Sequence, residues 1–163
     1  MCTIRPARKS DLTAITEIYN DAILTTTATF DTELKTEQEQ KVWFEAHSSR
    51  YPILVAELEG AVIAWGSLSK WSDRASYSET AEISLYVKRE FQGKGIGRKL
   101  ALALISEGKP AGLHTVIARI AEGNEASVRL AESVGFCRIG VMKEVGRKFG
   151  NLLDVHLMQI IYR

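Results

Sequence analysis

The 163-residue sequence is 45% hydrophobic and has a formal net charge of +1. This length is enough for one domain with a single hydrophobic core, which we expect to span residues 1–163. The near-zero charge removes any electrostatic reason to expect nucleic acid or an anionic membrane surface as a partner. No apolar run approaches the ~18 residues that a membrane-spanning helix needs, so no membrane association is expected.

Cysteine and histidine are sparse in this chain. Cys2 and Cys137 are the only cysteines, so we expect no disulfide and a reducing compartment. The opening segment MCTIRPARKSDL lacks the apolar core of a signal peptide, and the expected location is the cytoplasm. The histidines, at positions 47, 114 and 156, do not have the spacing of metal ligands, so no metal is expected.

The chain begins with a short strand and a helix. Residues 3–5 are predicted to be extended, and Ser10 is the expected N-cap of a helix that runs from residue 11 to about Ala22. Residues 25–30 are polar and mostly β-branched, which is unsuited to a helix and indicates an extended loop.

A second helix and a hairpin follow. Thr36 and Glu39 have the spacing of a capping box, which predicts a helix that ends near His47. Two β-rich runs, residues 53–58 and 62–69, are separated by a Glu-Gly turn and predict an antiparallel hairpin.

The segment from residue 80 to residue 108 carries the densest chemistry. In residues 81–87, apolar and polar side chains alternate, which is typical of a strand with two different faces. Glu82 lies on the polar face together with Ser84 and Tyr86. A glycine loop (residues 92–97, QGKGIG) comes next, and apolar residues at helical spacing then predict a helix up to Gly108.

The last third of the chain predicts one further helix between strands. Strands are expected at residues 115–120, 138–145 and 153–162, with a helix at 124–134 that Gly135 ends. The resulting order, β-α-α-β-β-β-α-β-α-β-β, predicts an α/β fold in which helices flank a central mixed sheet.

The glycine loop has the features of an anion site. A strand that leads through glycines into a helix N-terminus presents unpaired N–H groups and the positive end of the helix dipole. Lys94, Arg98 and Lys99 add positive charge that would suit a pyrophosphate. The dinucleotide pattern G-x-G-x-x-G fails because Arg98 stands at the third glycine, and the pattern G-x-x-x-x-G-K-[ST] is absent. The loop instead reads Q-x-x-G-x-G, at Gln92, Gly95 and Gly97.

This loop resembles the acetyl-CoA pyrophosphate loop of the GNAT superfamily of N-acetyltransferases. The stretch NEASVRLAESVGF (residues 124–136) resembles a second signature of that superfamily, N-x-x-A/S-x-x-x-Y/H-x-x-x-G-F. Four further segments resemble its phosphinothricin and methionine-sulfoximine N-acetyltransferases: EIYNDA (17–22), TTATFD (26–31), TAEISLYV (80–87) and VGRKFGNLLDV (145–155). The resemblance covers nearly the whole chain. It implies the GNAT fold, a largely antiparallel mixed sheet of about seven strands flanked by about four helices.

The resemblance also implies acetyl-CoA as co-substrate. The residues expected to bind it are Leu85, Tyr86, Val87, Gln92, Gly93, Lys94, Gly95, Ile96, Gly97, Arg98, Asn124 and Ser127. Asn124 and Ser127 have a second interpretation, in which Asn124 only caps its helix and Ser127 fills the first turn.

Acetyl transfer to an amine requires a base, because most amines are protonated at pH 7. Glu82 is the candidate, since it precedes the glycine loop on a polar strand face and matches the proposed base of the family; the alternative is a solvated or ion-paired glutamate. The N–H groups of residues 85–87 are the expected oxyanion donors. At the position of Ala131, GNAT enzymes often have a Tyr, and the phosphinothricin branch a His, that protonates the leaving thiolate. Alanine cannot do so, and Tyr86 is a candidate substitute.

Residues on the acceptor side are expected in two polar loops and near a later turn: Phe30, Trp71, Arg74, Tyr77, Lys148 and Phe149. Arg74 could grip a carboxylate through two hydrogen bonds, as an amino-acid substrate would require; the alternative is a surface arginine. Lys148 and Phe149 resemble a segment that in this branch reaches toward the partner subunit's pocket, which implies a homodimer.

The predicted activity is direct transfer of acetyl from acetyl-CoA to the amine of a small amino acid or analogue, with no covalent enzyme intermediate. Two alternatives remain open from the sequence. Acetylation of protein N-termini or lysines fits the CoA site equally well, and Ala131 leaves room for a non-catalytic CoA-binding sensor module.

Overall fold

A computed structural model describes residues 1–163 and contains one mixed seven-stranded sheet with helices on both faces. The strands, in chain order, are β1 (Cys2–Pro6), β2 (Ile53–Leu58), β3 (Ala61–Lys70), β4 (Thr80–Val87), β5 (Thr115–Ala121), β6 (Cys137–Lys148) and β7 (Asn151–Ile161). The helices are α1 (Leu12–Thr25), α2 (Glu37–Glu45), α3 (Ile96–Gly108) and α4 (Glu125–Ser133). The fold class and the order of elements that the sequence predicts are confirmed.

The start of α1 differs from the prediction. A short 3-10 turn, Lys9–Asp11, precedes the helix, so Ser10 is not its N-cap. The buried carboxylate of Asp11 instead accepts hydrogen bonds from the Arg8 N–H at 2.7 Å and from the Arg5 guanidinium at 2.8 Å. Arg5 lies on β1, outside the short segment from which an N-cap is predicted.

The end of α1 and the start of α2 have local causes. Helix α1 ends at Thr25, beyond the predicted end near Ala22. In its last turn the hydroxyl of Thr25 donates to the Asp21 carbonyl at 2.7 Å. The capping box predicted for α2 is confirmed, because Thr36 and Glu39 exchange side-chain to main-chain hydrogen bonds of 3.1 Å in both directions.

The two faces of the sheet have different character. On one face, fully buried apolar residues of the sheet, such as Leu68 and Ala81, pack against α3, which contributes Leu100 and Leu104 to the same core. On the other face, the strand register places Trp65 beside Tyr86, and Ser69 beside Glu82. The alternation along β4 therefore separates a packed core from a polar and aromatic surface beneath α1 and α2.

The only parallel pair in the sheet, β4 with β5, is also incomplete. Its register runs from Thr80 opposite Thr115 to Glu82 opposite Ile117 and then stops, although β4 continues to Val87 and β5 to Ala121. The two strands diverge beyond Glu82, and the main-chain groups along the gap have no ladder partner there. This divergence opens the sheet into a cleft. None of the helices has the length and apolar character to cross a membrane.

Candidate active site

The gap between β4 and β5 leads into a cleft of about 1880 Å³. Its walls are the outer half of β4, the glycine loop and α3, the end of β5, α4, and the loop between α1 and α2. A pocket for a drug-sized ligand occupies roughly 300–1,000 Å³. The cleft therefore has room for a longer molecule or for two molecules side by side.

One end of the cleft is the glycine loop. Gly93 and Gly95 have φ angles of 75° and 81°, a left-handed conformation that favours glycine, and Gly95 is the N-cap residue of α3. The Gln92 side chain donates to the Val87 carbonyl at 3.0 Å and ties the loop to the end of β4. The first turn of α3 contains no acidic residue, so its free N–H groups and Arg98 present a positive potential at the cleft wall that favours an anion.

The predicted cofactor residues fall into two groups. Those that line the cleft are Leu85, Tyr86, Val87, Gln92, Gly93, Gly95, Gly97, Arg98, Asn124 and Ser127. Lys94 and Ile96 do not line it. The Lys94 ammonium lies 5.5 Å from the centre of the Phe91 ring, and the Ile96 side chain is buried in the core. These two residues can contribute to the site through their main chain.

Helix α4 closes the cleft beside the glycine loop. A Cβ added to Gly97 would lie 3.1 Å from Leu130 Cδ1, so the glycine allows α3 and α4 to approach closely. Asn124 Oδ1 accepts a hydrogen bond from the Ser127 N–H at 3.3 Å, so Asn124 caps α4, and its contact with CoA stays a prediction. Ala131 is buried and lines the cleft, and it offers no side-chain proton donor there.

Glu82 lies at the narrow end of the cleft, where β4 and β5 separate. Its carboxylate accepts two hydrogen bonds from Arg119 of β5, one from Nε at 2.5 Å and one from Nη2 at 2.8 Å. The Glu82 side chain is 20% exposed and that of Arg119 51% exposed. The hydrogen bonds that Arg119 donates to Glu82 raise the pKa of Arg119, so the guanidinium stays charged and orients the carboxylate.

Sequence reasoning missed Arg119. It is the one exposed residue between buried neighbours from Val116 to Ala121, and a charged side chain in an otherwise apolar strand was the available signal. Its guanidinium also lies 5.5 Å from the centre of the Trp71 ring, which places Trp71 beside the catalytic candidate although Trp71 does not line the cleft. Only the pairing of β4 with β5 reveals both contacts.

An aromatic cluster supports the polar face of β4. The Tyr86 ring lies 5.0 Å from Trp65 and 5.1 Å from Tyr19, measured between ring centres. Burial raises the pKa of Tyr86 above its usual value, so its phenol stays protonated at neutral pH. Tyr86 therefore lines the cleft as a neutral phenol that is a weaker acid than free tyrosine.

The predicted acceptor residues are not all brought together. Phe30 and Phe149 line the cleft. Arg74 and Tyr77 are exposed and lie outside it. Lys148 is buried, and its ammonium donates to the Thr29 carbonyl of the same chain at 2.7 Å. No group of three or more His, Cys, Asp or Glu side chains is arranged to hold a metal ion.

The divergent parallel strands, the glycine loop at a helix start and the buried face behind them define an acetyltransferase fold. The chain belongs to the acetyltransferase (GNAT) family, whose model matches residues 15–136. The predicted family and enzyme class are thereby confirmed.

Named relatives span nearly the whole chain. The L-amino acid N-acyltransferase MnaT of Escherichia coli is 42% identical over 97% of this chain and 92% of its own length. The L-methionine sulfoximine/L-methionine sulfone acetyltransferase of Salmonella typhimurium is 42% identical over 97% of this chain and 93% of its own length. A phosphinothricin acetyltransferase from Sinorhizobium meliloti, solved with acetyl-CoA, superposes with a TM-score of 0.95 at 35% identity, covering 98% of this chain and 88% of that one.

Proposed function

We propose that this protein transfers acetyl from acetyl-CoA to the amine of a small amino acid or analogue, directly and within a ternary complex. The observation that carries the proposal is the placement of Glu82 and the glycine loop at opposite ends of one strand segment that lines the cleft. From Glu82 to Val87, β4 extends over roughly 17 Å at the usual rise per residue. An elongated ligand with an anionic end fits this arrangement, with its reactive end beside Glu82.

Relatives support the same substrate class. The two named above act on L-amino acids and on methionine sulfoximine or sulfone, according to their names, and the Sinorhizobium neighbour binds acetyl-CoA. Identities of 42% over nearly full length make a shared reaction the simplest expectation.

The main chain of the cleft supplies the proposed cofactor contacts. N–H groups of the glycine loop and of the first turn of α3 bind the pyrophosphate, with Arg98 as a cation and Gln92 as the residue that fixes the loop. The unpaired edge of β4 beyond Glu82 pairs with the amides of the pantetheine arm in the manner of an added strand. Asn124 and Ser127 contact the same arm from α4.

The proposed chemistry places a proton acceptor and oxyanion donors along β4. Glu82 takes a proton from the acceptor's amine, directly or through a water, and the neutral nitrogen attacks the thioester carbonyl carbon. The N–H groups of residues 85–87 stabilise the negative charge that develops on the carbonyl oxygen. The nitrogen of the tetrahedral intermediate loses its extra proton to water, and the carbon–sulfur bond breaks. The thiolate takes a proton from water, because Ala131 has none to give, and Tyr86 stays a predicted alternative donor.

On the acceptor side, Phe30 and Phe149 are proposed to bind the acceptor, since both line the cleft. Contacts from Trp71, Arg74, Tyr77 and Lys148 stay predictions, as does the cytoplasmic location.

A homodimer is proposed from the outer edge of the sheet. Strand β6 is an edge strand of the sheet. Large apolar side chains are exposed on β6, on β7 and in the turn between them, at Ile139, Val141, Val145, Phe149 and Leu152. A second copy that covered this edge would remove the apolar area from water.

An acceptor screen tests the proposed function. The protein would be mixed with acetyl-CoA and with amino acids, polyamines or peptides, and the release of free thiol would be measured. We expect release with small amino acids. Release only with peptides would instead indicate a protein N-acetyltransferase. Thermal stabilisation by acetyl-CoA without release for any acceptor would indicate a sensor module.

A further inference from the structure

We propose that Arg119 binds the α-carboxylate of the acceptor, so that the Glu82–Arg119 pair selects amino acids whose amine and carboxylate are neighbours. This inference rests on the proposed function and names the feature of the substrate that the site recognises. It assigns to Arg119 the role that the sequence suggested for Arg74.

The guanidinium of Arg119 has donor capacity left after it pairs with Glu82. An arginine has five N–H donors in a planar fork. Nε and Nη2 of Arg119 donate to the two oxygens of Glu82, and Nη1 has no hydrogen-bond partner in the chain. Arg119 lines the cleft, and its side chain is 51% exposed. A ligand in the cleft can therefore reach the free edge of the guanidinium without breaking the ion pair.

Two contacts fix the orientation of that edge. Glu82 holds one side of the guanidinium through two hydrogen bonds, and the Trp71 ring packs against it at 5.5 Å from the ring centre. An arginine held in this way loses little additional side-chain freedom when it binds a carboxylate. Trp71 thereby acts as a positioning residue for Arg119.

The charges of the pair complement those of an α-amino acid. Glu82 and Arg119 place an anion and a cation within hydrogen-bond distance of each other. A zwitterionic α-amino acid carries a cation and an anion separated by a single carbon atom. When its amine faces Glu82, its carboxylate comes to lie beside Arg119, and both charges are paired. An amine without a carboxylate, or with a distant one, satisfies only half of this arrangement.

The other arginines do not have this position. Arg74 lies outside the cleft on an exposed turn. Arg89 lines the cleft but pairs with Asp21 of α1 at 3.3 Å. Arg98 of α3 and Arg129 of α4 also line the cleft, but neither forms an ion pair with Glu82. Arg119 is the cation that contacts Glu82.

A pair of matched acceptors tests the inference. We would measure kcat and KM for L-methionine sulfone and for its α-carboxamide, which keeps the amine and removes the negative charge. The selectivity is the ratio of the two kcat/KM values. Any effect of a substitution on Glu82 or on acetyl-CoA changes both values and cancels in the ratio. The difference in amine basicity between the two acceptors is the same for every variant, so it cancels when the selectivities of two variants are compared.

In Arg119→Met we expect the selectivity for the carboxylate to fall by about 10- to 100-fold, which is the range for a hydrogen bond to a charged group. In this variant KM should rise for the amino acid and should not rise for the carboxamide. Arg119→Lys should retain part of the selectivity, because the ammonium keeps the charge but not the fork. It also serves as the test variant if Arg119→Met does not fold.

Arg138→Met is the matched control, since Arg138 forms an exposed ion pair with Glu132 at 3.1 Å outside the cleft. Its selectivity should equal that of the unchanged protein. The inference is wrong if Arg119→Met keeps the selectivity, or if only Arg74→Met loses it. Equal kcat/KM of the unchanged protein for both acceptors, each calculated on the concentration of neutral amine, would also overturn it, while leaving the proposed function intact. If neither acceptor nor any other amine is acetylated, the proposed function fails and this inference fails with it.

Discussion

The buried ammonium of Lys148 donates a hydrogen bond to the main-chain carbonyl of Thr29, 2.7 Å away. This contact joins the end of β6 to the loop between α1 and α2, and Phe30 in that loop packs directly over Gly146 of β6. A wall of the cleft thus depends on two segments that are 119 positions apart in the sequence. Substitutions at these positions should therefore affect the fold and the acceptor side together.

Lys148→Met should weaken the contact between β6 and the loop between α1 and α2. Methionine keeps most of the buried length of the side chain but leaves the Thr29 carbonyl without its donor, so the free energy of unfolding should fall by about 1–3 kcal/mol. Phe30 should become less ordered, and KM for the acceptor should rise more than KM for acetyl-CoA. Urea denaturation and steady-state kinetics would measure the two effects. An unchanged stability would mean that the hydrogen bond does no more than offset the cost of burying the ammonium.

Glu82→Gln should reduce turnover sharply while leaving the affinity for acetyl-CoA nearly unchanged. The amide is similar in shape and can still accept a hydrogen bond from Arg119, but it cannot take a proton from the amine. A loss of kcat of roughly 10²-fold or more is expected for a missing general base. Equal rates for both forms at several pH values would remove Glu82 from this role.

Gly95→Ala should weaken the binding of acetyl-CoA. A side chain at φ 81° costs about 1–2 kcal/mol, and the loop can relieve this strain only by turning its N–H groups away. The dissociation constant for acetyl-CoA, measured by calorimetry, should rise by about tenfold.

Gly60→Ala is the control for that measurement. Gly60 also has φ 81° and open space around it, but it lies in the hairpin turn between β2 and β3. It should lose stability by a similar amount and bind acetyl-CoA normally. If both variants lost affinity equally, the glycine loop would have no special part in binding.

His47 should make the stability depend on pH. Nδ1 must donate to the Trp43 carbonyl at 2.7 Å, so Nε2 accepts from the Ser69 hydroxyl at 3.0 Å, and burial lowers the pKa of His47 below its usual 6.5. Between the lowered pKa and 6.5 the unfolded chain binds more protons than the folded chain. The stability is therefore lost as pH falls from about 7 through this range.

Denaturation of His47→Gln measures this contribution. The glutamine has no proton to gain, so its free energy of unfolding should decrease less than that of the unchanged protein between about pH 8 and about pH 5.5. Parallel curves for the two proteins would assign the pH dependence to other groups.

Val141→Asp should prevent the proposed homodimer. Val141 is exposed near the middle of the edge strand β6, and a charge there would have to be desolvated in an interface between two copies. Light scattering should find a dimer for the unchanged protein and a monomer for the variant. A monomer in both cases would refute the dimer.

Local patterns predicted those features that short segments control by themselves. The capping box at Thr36 and Glu39 forms as expected, because both partners lie within one helical turn. The two faces of β4 follow from alternation alone. The prediction of Ser10 as an N-cap was wrong, because the start of α1 depends on a distant residue: Asp11 accepts a hydrogen bond from Arg5 of β1.

The sequence by itself determined the family, the order of elements and the glycine loop, because these depend on residues close together in the chain and on their hydrogen-bonding and φ preferences. Only the tertiary structure decided what Glu82 and Lys148 contact. Glu82 meets Arg119 because β4 and β5 pair in parallel and then separate, and Lys148 reaches Thr29 because β6 returns beside the α1–α2 loop. Contacts of this kind depend on which strands become neighbours, and no local spacing of residues encodes that choice.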